Sequence, residues 1–271
     1  MELTEPIRLI ATDLDGTLLN DNYEISTVIK DAIQRARQNG VEVVVTTGRD
    51  RASALKYIET IHLTDTFIGS GGAEIWREGK IIETISLTLD QTRWLMGIVT
   101  ELDCGSFVDQ LPYTWNFGNR KYVEMYLHVS DAAQKTEDVE TFYHPLPNKI
   151  SIINEPEVLA EIRPRIVERY PSLHLTTPFS HILDVNPTGA DKGTAILHLA
   201  ALMNIPASQI AAVGDSDNDI AMLDVAAVPF AVGNAVETVK QRVRCIAPSN
   251  NENGVAWMID EILAANAKIK R

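Results

Sequence analysis

The 271-residue sequence is poor in cysteine and contains no long hydrophobic run. Its two cysteines, Cys104 and Cys245, lie far apart and outside any Cys-x-x-Cys spacing, which argues against a disulfide framework or a cysteine-bound zinc site. The apolar runs at 7–12 and 41–47 have the length of strands, well short of the roughly 20 residues of a membrane-spanning helix. The first residues lack the basic and apolar regions of a signal peptide. We therefore expect reduced thiols and a cytoplasmic protein.

Basic residues are also scarce. Lys and Arg number 24 against 37 Asp and Glu, which gives a formal net charge of −13. Nucleic-acid binding requires a basic face that displaces counterions, and attraction to anionic lipid requires the same. We therefore expect neither nucleic acid nor a membrane as a partner, and the sequence carries no signal for an oligomeric state. A phosphorylated substrate would require local positive potential from a metal ion or a few basic side chains.

Strand and helix patterns alternate at both ends of the chain. An apolar run at 7–12, a helical pattern at 26–39 and a second apolar run at 41–46 form a βαβ unit, which implies a parallel sheet. The last third repeats this rhythm, whereas the middle is richer in proline and aromatic residues and has strand-like runs such as 122–129. We predict an α/β fold with a Rossmann-like parallel-sheet core, residues 1–85 and 186–271, and an inserted α+β domain, residues 86–185.

The strongest polar signal is the sequence Asp13-Leu14-Asp15-Gly16, directly after the first predicted strand. Carboxylates two residues apart project to the same side of an extended chain, at the sheet edge where α/β folds bind ligands. Such a pair repels itself unless a cation holds it, and carboxylate oxygens suit Mg²⁺. A turn with solvated aspartates is the structural alternative. A calcium loop is less well supported, because the distal Glu of an EF-hand is missing.

Four segments together resemble the motifs of the haloacid dehalogenase (HAD) phosphatase superfamily. Residues 10–19 contain the first motif, Asp-x-Asp-Gly-Thr-Leu, after an apolar strand. Residues 43–49 (VVVTTGR), 187–193 (PTGADKG) and 213–219 (VGDSDND) resemble the second, third and fourth. The order of the motifs and the insertion between the second and third are also those of the superfamily, so the resemblance covers nearly the whole chain.

The resemblance implies a phosphoric monoester hydrolase with Asp13 as the nucleophile that forms an aspartyl-phosphate. Asp15 would protonate the leaving alcohol and later activate water. Mg²⁺ would be bound by Asp13, by Asp215 and by the backbone carbonyl of Asp15. The transferring phosphoryl oxygens would be held by the amides of Leu14 and Gly48 and by the side chains of Thr47, Lys192 and Asn218.

Two of these expectations involve a choice between neighbours. The family places the hydroxyl of the second motif directly before the glycine, which favours Thr47 over Thr46. In the fourth motif, Asp217 and Asp219 suit the negatively charged start of a helix. We therefore expect these two acids to stabilise the start of the helix. Asp219 is also expected to contact a residue that binds the metal ion, without binding the ion itself.

The position and size of the insertion resemble the large cap of Cof-type (subclass IIB) HAD phosphatases. About 100 residues follow the second motif, and such a cap would close over the site and contact the leaving group. Cof-type proteins usually carry Asn-Gly-Ala where this chain has Gly71-Gly72-Ala73, so Gly71 cannot make the substrate contact of that Asn. Candidate cap residues for substrate contact are Tyr113, Trp115, Asn116, Arg120, His144 and Lys149.

We expect the substrate to be a small phosphorylated metabolite, with a sugar phosphate as the favoured class. Pyridoxal phosphate or a nucleotide-type cofactor is the nearest alternative, and a phosphomutase would return the phosphoryl group to the substrate. A receiver-type phospho-accepting domain also combines acidic residues, Thr and Lys with Mg²⁺. A receiver has about half this length and lacks an acid two residues after the nucleophile, so it is less favoured.

Overall fold

The computed structural model describes residues 3–128 and 130–269. Within these residues the strands are β1 (Leu9–Thr12), β2 (Glu42–Thr46), β3 (Phe67–Gly69), β4 (Glu74–Arg77), β5 (Lys80–Thr84), β6 (Gly105–Gln110), β7 (Tyr113–Gly118), β8 (Gln134–Lys135), β9 (Lys149–Ile153), β10 (His174–Phe179), β11 (Ile182–Asn186), β12 (Ile210–Gly214), β13 (Val228–Ala231) and β14 (Cys245–Ile246). The helices are α1 (Thr27–Gln38), α2 (Arg51–Ile58), α3 (Leu89–Glu101), α4 (Arg120–Tyr126), α5 (Pro156–Arg169), α6 (Lys192–Leu202), α7 (Ile220–Val225), α8 (Glu237–Lys240) and α9 (Gly254–Ile269).

The strands form two separate sheets. An eight-stranded sheet has the order β14-β13-β12-β1-β2-β3-β4-β5, and a six-stranded sheet has the order β10-β11-β9-β6-β7-β8. Strands β14 to β3 are parallel, whereas β4 and β5 pair antiparallel at one edge. The six-stranded sheet is antiparallel except for the pairing of β7 with β8. The predicted α/β core with an inserted α+β unit is therefore confirmed.

The first βαβ unit folds as its sequence pattern predicts. The Ser26 hydroxyl accepts a hydrogen bond from the Ile29 amide and begins α1, as an N-cap does. The apolar residues at three- and four-residue spacing are buried, so this face of α1 packs on the sheet. Each sheet has its own hydrophobic core, with Phe67 in that of the eight-stranded sheet and Phe142 in that of the other.

The strand predicted over 122–129 is wrong: residues 120–126 form α4, and Val129 lies outside the described residues. The Asn119 side chain accepts a hydrogen bond from the Lys121 amide and begins this helix. Helix α4 packs closely on β6, where a Cβ at Gly105 would lie 2.8 Å from the Cβ of Tyr122. This tertiary contact overrides the local strand preference of a segment rich in tyrosine and valine.

The remaining global expectations concern the cysteines and the membrane. Cys104 and Cys245 are both free thiols, as predicted. Among residues 3–128 and 130–269, no helix combines the length and apolar character needed to cross a membrane.

Candidate active site

The site lies where β1, β2 and β12 end side by side. Thr12, the last residue of β1, pairs with Val45 on one side and with Val213 on the other. The polar residues that follow these three strands are therefore neighbours at the carboxyl edge of the sheet. Gly16, with a φ of +75°, turns the chain after β1, and a Cβ on it would lie 2.7 Å from an Asp215 carboxylate oxygen. The motif therefore requires glycine at this position.

Asp13 and Lys192 form the buried centre of the site. The Lys192 ammonium lies 2.5 Å from Asp13 Oδ1 and 2.6 Å from Asp219 Oδ1, and its side chain is 1% exposed. Burial raises the pKa of Asp13 well above its ordinary value, although Lys192 acts to lower it. Burial lowers the pKa of Lys192, but the two carboxylates outweigh burial and hold that pKa above its ordinary value. Lys192 is therefore a fixed cation against the predicted nucleophile.

Asp215 faces Asp13 from the end of β12. Its Oδ1 accepts a hydrogen bond of 2.8 Å from the Thr17 hydroxyl. Burial, and next the Asp219 carboxylate, raise the pKa of Asp215 to about 7. Carboxylate oxygens of Asp13, Asp215 and Asp219 all lie within 4.8 Å of one another. This oxygen-rich arrangement is the kind that binds Mg²⁺, and a divalent cation there would lower the pKa of both Asp13 and Asp215.

Asp219 differs from the other two acids, because both of its oxygens already have partners. Oδ1 accepts from Lys192, and Oδ2 accepts from the amides of Asp215 and Ser216 at 2.9 and 3.0 Å. It therefore neutralises Lys192 and holds the turn that presents Asp215, which fits the expected place behind the metal ligand. The Asp217 carboxylate accepts a hydrogen bond from Thr238 at the surface and takes no part in the cluster.

The predicted phosphate-binding residues come together in part at one cavity. Thr47, Gly48 and Asn218 line this cavity together with Asp13, Asp15 and Asp215. Thr46 instead points its hydroxyl at the Met222 sulfur, in the interior, so the choice of Thr47 fits the geometry. The Leu14 side chain is fully buried in the core, which leaves only its backbone for the role that the resemblance implies.

Asp15 is held by Arg49, a residue to which the sequence reasoning gave no role. Arg49 donates two hydrogen bonds to the Asp15 carboxylate, Nε to Oδ2 at 2.8 Å and Nη2 to Oδ1 at 2.6 Å. The Arg49 guanidinium also lies over the rings of Tyr57, at 5.1 Å, and Tyr23, at 6.0 Å. Arginine in the second motif could have been identified as a carboxylate partner, because its planar fork matches a carboxylate.

The six-stranded sheet covers the mouth of the site and encloses a cavity of about 370 Å³. The lining from this sheet consists of Phe107 of β6, Lys149 and Ser151 of β9, Pro178 and Phe179 of β10, and Ile182 and Asp184 of β11. Lys149 also donates a hydrogen bond to the backbone carbonyl of Gly48. A side chain of one sheet is thereby bonded to the loop that ends β2 in the other.

Of the six cap residues singled out from the sequence, only Lys149 lines the cavity within the part of the chain that the structure describes. Tyr113, Trp115 and Asn116 lie on β7, on the far side of β6 from the cavity strands β9 and β11. Asn116 donates to the Ala133 carbonyl and accepts from Arg120, so the side chains of Asn116 and Arg120 bond to each other and to Ala133, away from the cavity. His144 also lies outside the cavity lining.

Gly71, which replaces the usual asparagine of Cof-type proteins, makes room for another asparagine. Its φ is +68°, and a Cβ there would lie 2.7 Å from the Nδ2 atom of Asn186. Asn186 ends β11 in the six-stranded sheet. The space next to residue 71 is thus filled from the opposite sheet, and Gly71 itself is absent from the described cavity lining.

Two buried carboxyl groups share one hydroxyl at the junction of the two sheets. Ser70 Oγ lies 2.8 Å from Glu74 Oε1 and 2.9 Å from Asp109 Oδ2. Asp109 also lies 3.2 Å from the Lys149 ammonium, and Glu74 Oε2 accepts from Trp76 Nε1. Burial raises the pKa of Glu74 to about 7 and that of Asp109 to about 6, the latter against the lowering effect of Lys149. The hydroxyl has a single proton, so it donates to one carboxyl and accepts from the other.

An acidic cluster with a buried lysine lies at the carboxyl edge of a parallel sheet, beneath a second sheet, an arrangement suited to an enzyme of phosphoryl transfer. Residues 10–259 match the sequence pattern of the haloacid dehalogenase-like hydrolases, and the chain belongs to this family. Within it, the chain is a Cof-type phosphatase, as the resemblance of its motifs predicted.

Individual relatives agree with this assignment over nearly their full lengths. Phosphatase YwpJ of Bacillus subtilis is 30% identical over 95% of this chain and 100% of its own. The 5-amino-6-(5-phospho-D-ribitylamino)uracil phosphatase YcsE of the same organism is 28% identical over 93% of this chain and 94% of its own. Among solved structures, TM0651 of Thermotoga maritima has a TM-score of 0.82 at 25% identity, covering 94% of this chain and 97% of its own. The HAD subclass IIB sugar phosphatase BT4131 shares the fold, with a TM-score of 0.85 at 19% identity and coverage of 94% and 98%.

Proposed function

We propose that this phosphatase is Mg²⁺-dependent and hydrolyses a small phosphorylated metabolite, with sugar phosphates as the favoured class, through an aspartyl-phosphate on Asp13. The observation that carries the proposal is the buried contact of Asp13 with Lys192, beside Asp215, where Asp13 and Asp215 both line the cavity. A buried cation fixes the nucleophile in one orientation, and the cavity gives a substrate access to it.

In the first step, a carboxylate oxygen of Asp13 attacks phosphorus and the bond from phosphorus to the ester oxygen breaks. Asp15 gives its proton to the departing alcohol oxygen. Arg49 now holds Asp15 through both carboxylate oxygens, so it sets the direction from which Asp15 approaches the substrate. Protonation of Asp15 weakens this ion pair, because one of the two negatively charged acceptor sites becomes a hydroxyl.

In the second step, Asp15 accepts a proton from a water molecule, and the water oxygen attacks the phosphorus of the aspartyl-phosphate. The bond from phosphorus to Asp13 breaks, which releases inorganic phosphate and restores both carboxyl groups to their starting states. Lys192 remains in ion-pair distance of Asp13 and would stabilise the carboxylate as it leaves phosphorus. The amides of Leu14 and Gly48, with Thr47 and Asn218, would hold the transferring oxygens.

The residues of the site fit a divalent cation. Within residues 3–128 and 130–269, the ion pairs of Asp13, Asp15 and Asp219 are made with Lys192 and Arg49, so the four acids of the site outnumber these cations. The donor atoms of the acidic cluster are oxygens, which Mg²⁺ prefers. Asp13, Asp215 and the backbone carbonyl of Asp15 would hold the ion. When bound, Mg²⁺ supplies the positive charge that lets an anionic nucleophile approach an anionic phosphate.

We propose residues 86–185 as the cap that closes over the substrate and excludes water. Lys149, Asp184 and Ser151 give the side of the cavity formed by the six-stranded sheet a polar lining suited to hydroxyl groups, which supports a sugar or other polyhydroxylated phosphate. The activity in the name of the YcsE relative, on a phosphate ester of a ribityl chain, supports the same class. Pyridoxal phosphate and nucleotide-type cofactors remain the second candidate, because aromatic rings also line the cavity.

Phosphate release from a panel of sugar, cofactor and nucleotide phosphates, with and without Mg²⁺, tests the proposal. We expect Asp13→Asn to lower turnover by at least about a thousandfold while the melting temperature is retained. The matched control is Asp217→Asn, which changes an exposed acid two residues after Asp215 and should leave turnover unchanged. Full activity of Asp13→Asn or of the enzyme in excess chelator would contradict the mechanism. Transfer of phosphate back to the substrate instead of to water would identify a phosphomutase.

A further inference from the structure

The loop that follows β13, residues 232–236, contacts both segments that carry the proposed metal ligands. Asn234 Nδ2 donates a hydrogen bond of 2.7 Å to the Gly16 carbonyl, in the turn after β1. Two residues later, the Val236 amide donates a hydrogen bond of 2.8 Å to the Asp215 carbonyl. The last residues of β12 and β13 pair side by side, so this loop begins at the carboxyl edge of the sheet. One short loop thereby connects the first motif with the fourth.

The Gly16 carbonyl lies between two parts of the proposed metal site. Gly16 has a φ of +75° and, because it lacks a side chain, its backbone rotates more freely than that of other residues. The preceding peptide contains the Asp15 carbonyl, a proposed metal ligand. The next residue, Thr17, donates its hydroxyl to the Asp215 carboxylate at 2.8 Å. A rotation at Gly16 would therefore displace metal ligands on both sides, and a hydrogen bond to its carbonyl opposes that rotation.

The Asn234 side chain is held in the orientation that directs its NH₂ group at Gly16. Its Oδ1 accepts a hydrogen bond of 2.9 Å from the Asn250 amide, so its Nδ2 must lie on the other side. Asn250 is 2% exposed, and its own Nδ2 donates to the Leu19 carbonyl at 3.0 Å. The two asparagines therefore hold the segment after β1 at two of its carbonyls.

Asn234 lies outside both the cavity and the core. Within residues 3–128 and 130–269 it is absent from the cavity lining, and it is exposed. A single hydrogen bond of this kind contributes only modestly to stability. The loop also has backbone hydrogen bonds that do not involve this side chain, such as that from the Ala235 amide to the Val232 carbonyl at 2.9 Å. Removal of the side chain therefore leaves the fold intact and releases Gly16.

We infer that Asn234 is a positioning residue for the divalent cation. By fixing the Gly16 carbonyl, its amide keeps the Asp15 carbonyl in place to bind the ion. The same hydrogen bond keeps Thr17 in place to hold Asp215. The inference rests on the proposed function, because it assumes the metal ligands given there. Residues that orient metal ligands without touching the ion change metal affinity by about 10- to 100-fold when they are replaced.

Calorimetric titration of the substrate-free protein with Mg²⁺, together with kinetics over a range of Mg²⁺ concentrations, tests the inference. Asn234→Ala should raise the Kd for Mg²⁺ at least about tenfold. Its turnover should fall about fivefold at the Mg²⁺ concentration that half-saturates the wild type and should recover when Mg²⁺ saturates the variant. At that concentration the KM for the substrate should equal that of the wild type, because Asn234 does not line the cavity. Asn234→Leu, which keeps the side-chain volume without a donor, should behave as Asn234→Ala does.

Two variants control for unrelated effects of the substitution. Asn39→Ala removes another exposed asparagine whose Nδ2 donates to a backbone carbonyl, that of Arg35 in α1, at 2.9 Å. Thr238→Ala removes the hydrogen bond from Thr238 to Asp217, two residues after the loop and away from the acidic cluster. Both should bind Mg²⁺ with the wild-type Kd. Melting temperatures measured without Mg²⁺ verify that every variant is folded.

The outcomes separate failure of this inference from failure of the proposed function. If the wild type binds and requires Mg²⁺, but Asn234→Ala binds it with the same Kd, the inference is overturned and the proposed function stands. The inference is also overturned if the two controls weaken binding as much as Asn234→Ala does, or if saturating Mg²⁺ does not restore turnover. If the wild type neither binds Mg²⁺ nor loses activity in excess chelator, the proposed function itself fails.

Discussion

Replacing Glu74 by glutamine should stabilise the protein above neutral pH. Ser70 has one hydroxyl proton and two carboxyl neighbours, Glu74 and Asp109. Lys149 beside Asp109 favours the ionised form there, so we expect Glu74 to be the carboxyl that carries a proton below its pKa of about 7 and then donates to Ser70. A glutamine amide reproduces this arrangement at every pH, because its NH₂ group donates to Ser70 and its oxygen accepts from Trp76.

The magnitude follows from the pKa of Glu74, which burial raises from 4.5 to about 7. Between these two values the folded protein binds a proton that the unfolded chain has released, so the free energy of unfolding falls as the pH rises. One pKa unit corresponds to about 1.4 kcal/mol, so the full loss above pH 7 is about 3 kcal/mol. Glu74→Gln has no ionisable group at this position and so lacks this loss. Its free energy of unfolding should equal that of the wild type near pH 4.5 and exceed it by about 3 kcal/mol at pH 8.

Urea unfolding of both proteins at several values between pH 4.5 and 8 measures the difference. Asp50 also raises the pKa of Glu74 and Asp109, and it is present in both the wild type and Glu74→Gln. The control is Glu78→Gln on the same hairpin, where the carboxylate is 82% exposed, and its stability should follow that of the wild type. A stability difference that does not change with pH, or a Glu74→Gln protein that is less stable throughout, would refute the shared-hydroxyl argument.

Three further changes probe the site. Asp15→Asn should slow hydrolysis of a sugar phosphate by about 10²- to 10⁴-fold. It should slow the first step, phosphorylation of Asp13, less when the alcohol is p-nitrophenol, which departs without a proton, so acid-quench trapping with p-nitrophenyl phosphate should detect an accumulated phosphoenzyme. Equal losses in the rate of phosphoenzyme formation from both esters would mean that Asp15 is not the acid. Asp215→Asn should raise the Mg²⁺ concentration for half-maximal activity at least about tenfold, measured by Mg²⁺ titration, whereas an unchanged midpoint would remove Asp215 from the ligand set. Gly71→Asn should lower the free energy of unfolding by more than about 1 kcal/mol, because its Cβ meets Asn186, and Asn186→Gly in the same chain should recover part of the loss in urea unfolding.

The sequence predicted which side chains meet at the carboxyl edge of the parallel sheet, because this geometry is local to the strand ends. Residues that follow β1, β2 and β12 must meet when these strands are parallel neighbours, and the order of the motifs identified the strands. The proximity of Lys192 to Asp13 also follows from the motifs, although its second partner, Asp219, was expected mainly to serve the helix. The catalytic roles of these residues stay predictions.

The contacts between the two sheets could not be predicted from the sequence. Asp184 lies on a buried strand and has no motif around it, so only the packing of the six-stranded sheet brings it to Gly48. Because their contacts also arise from the packing of the two sheets, Lys149 was only one of six candidate cap residues and no role was predicted for Ser70. Helix α4 was predicted as a strand, because tyrosine and valine favour strands locally and the close approach of α4 to Gly105 cannot be seen in a linear pattern.

The hydrogen bond from Lys149 to the Gly48 carbonyl has a consequence for the timing of product release. The Gly48 peptide faces two ways: its carbonyl is bonded to the six-stranded sheet, and its amide is proposed to bind phosphate. If the two sheets separate after the second step, to release inorganic phosphate, this peptide would lose the partner that fixes its orientation. Its hold on phosphate would then weaken as the exit opens, so opening itself would promote the departure of inorganic phosphate.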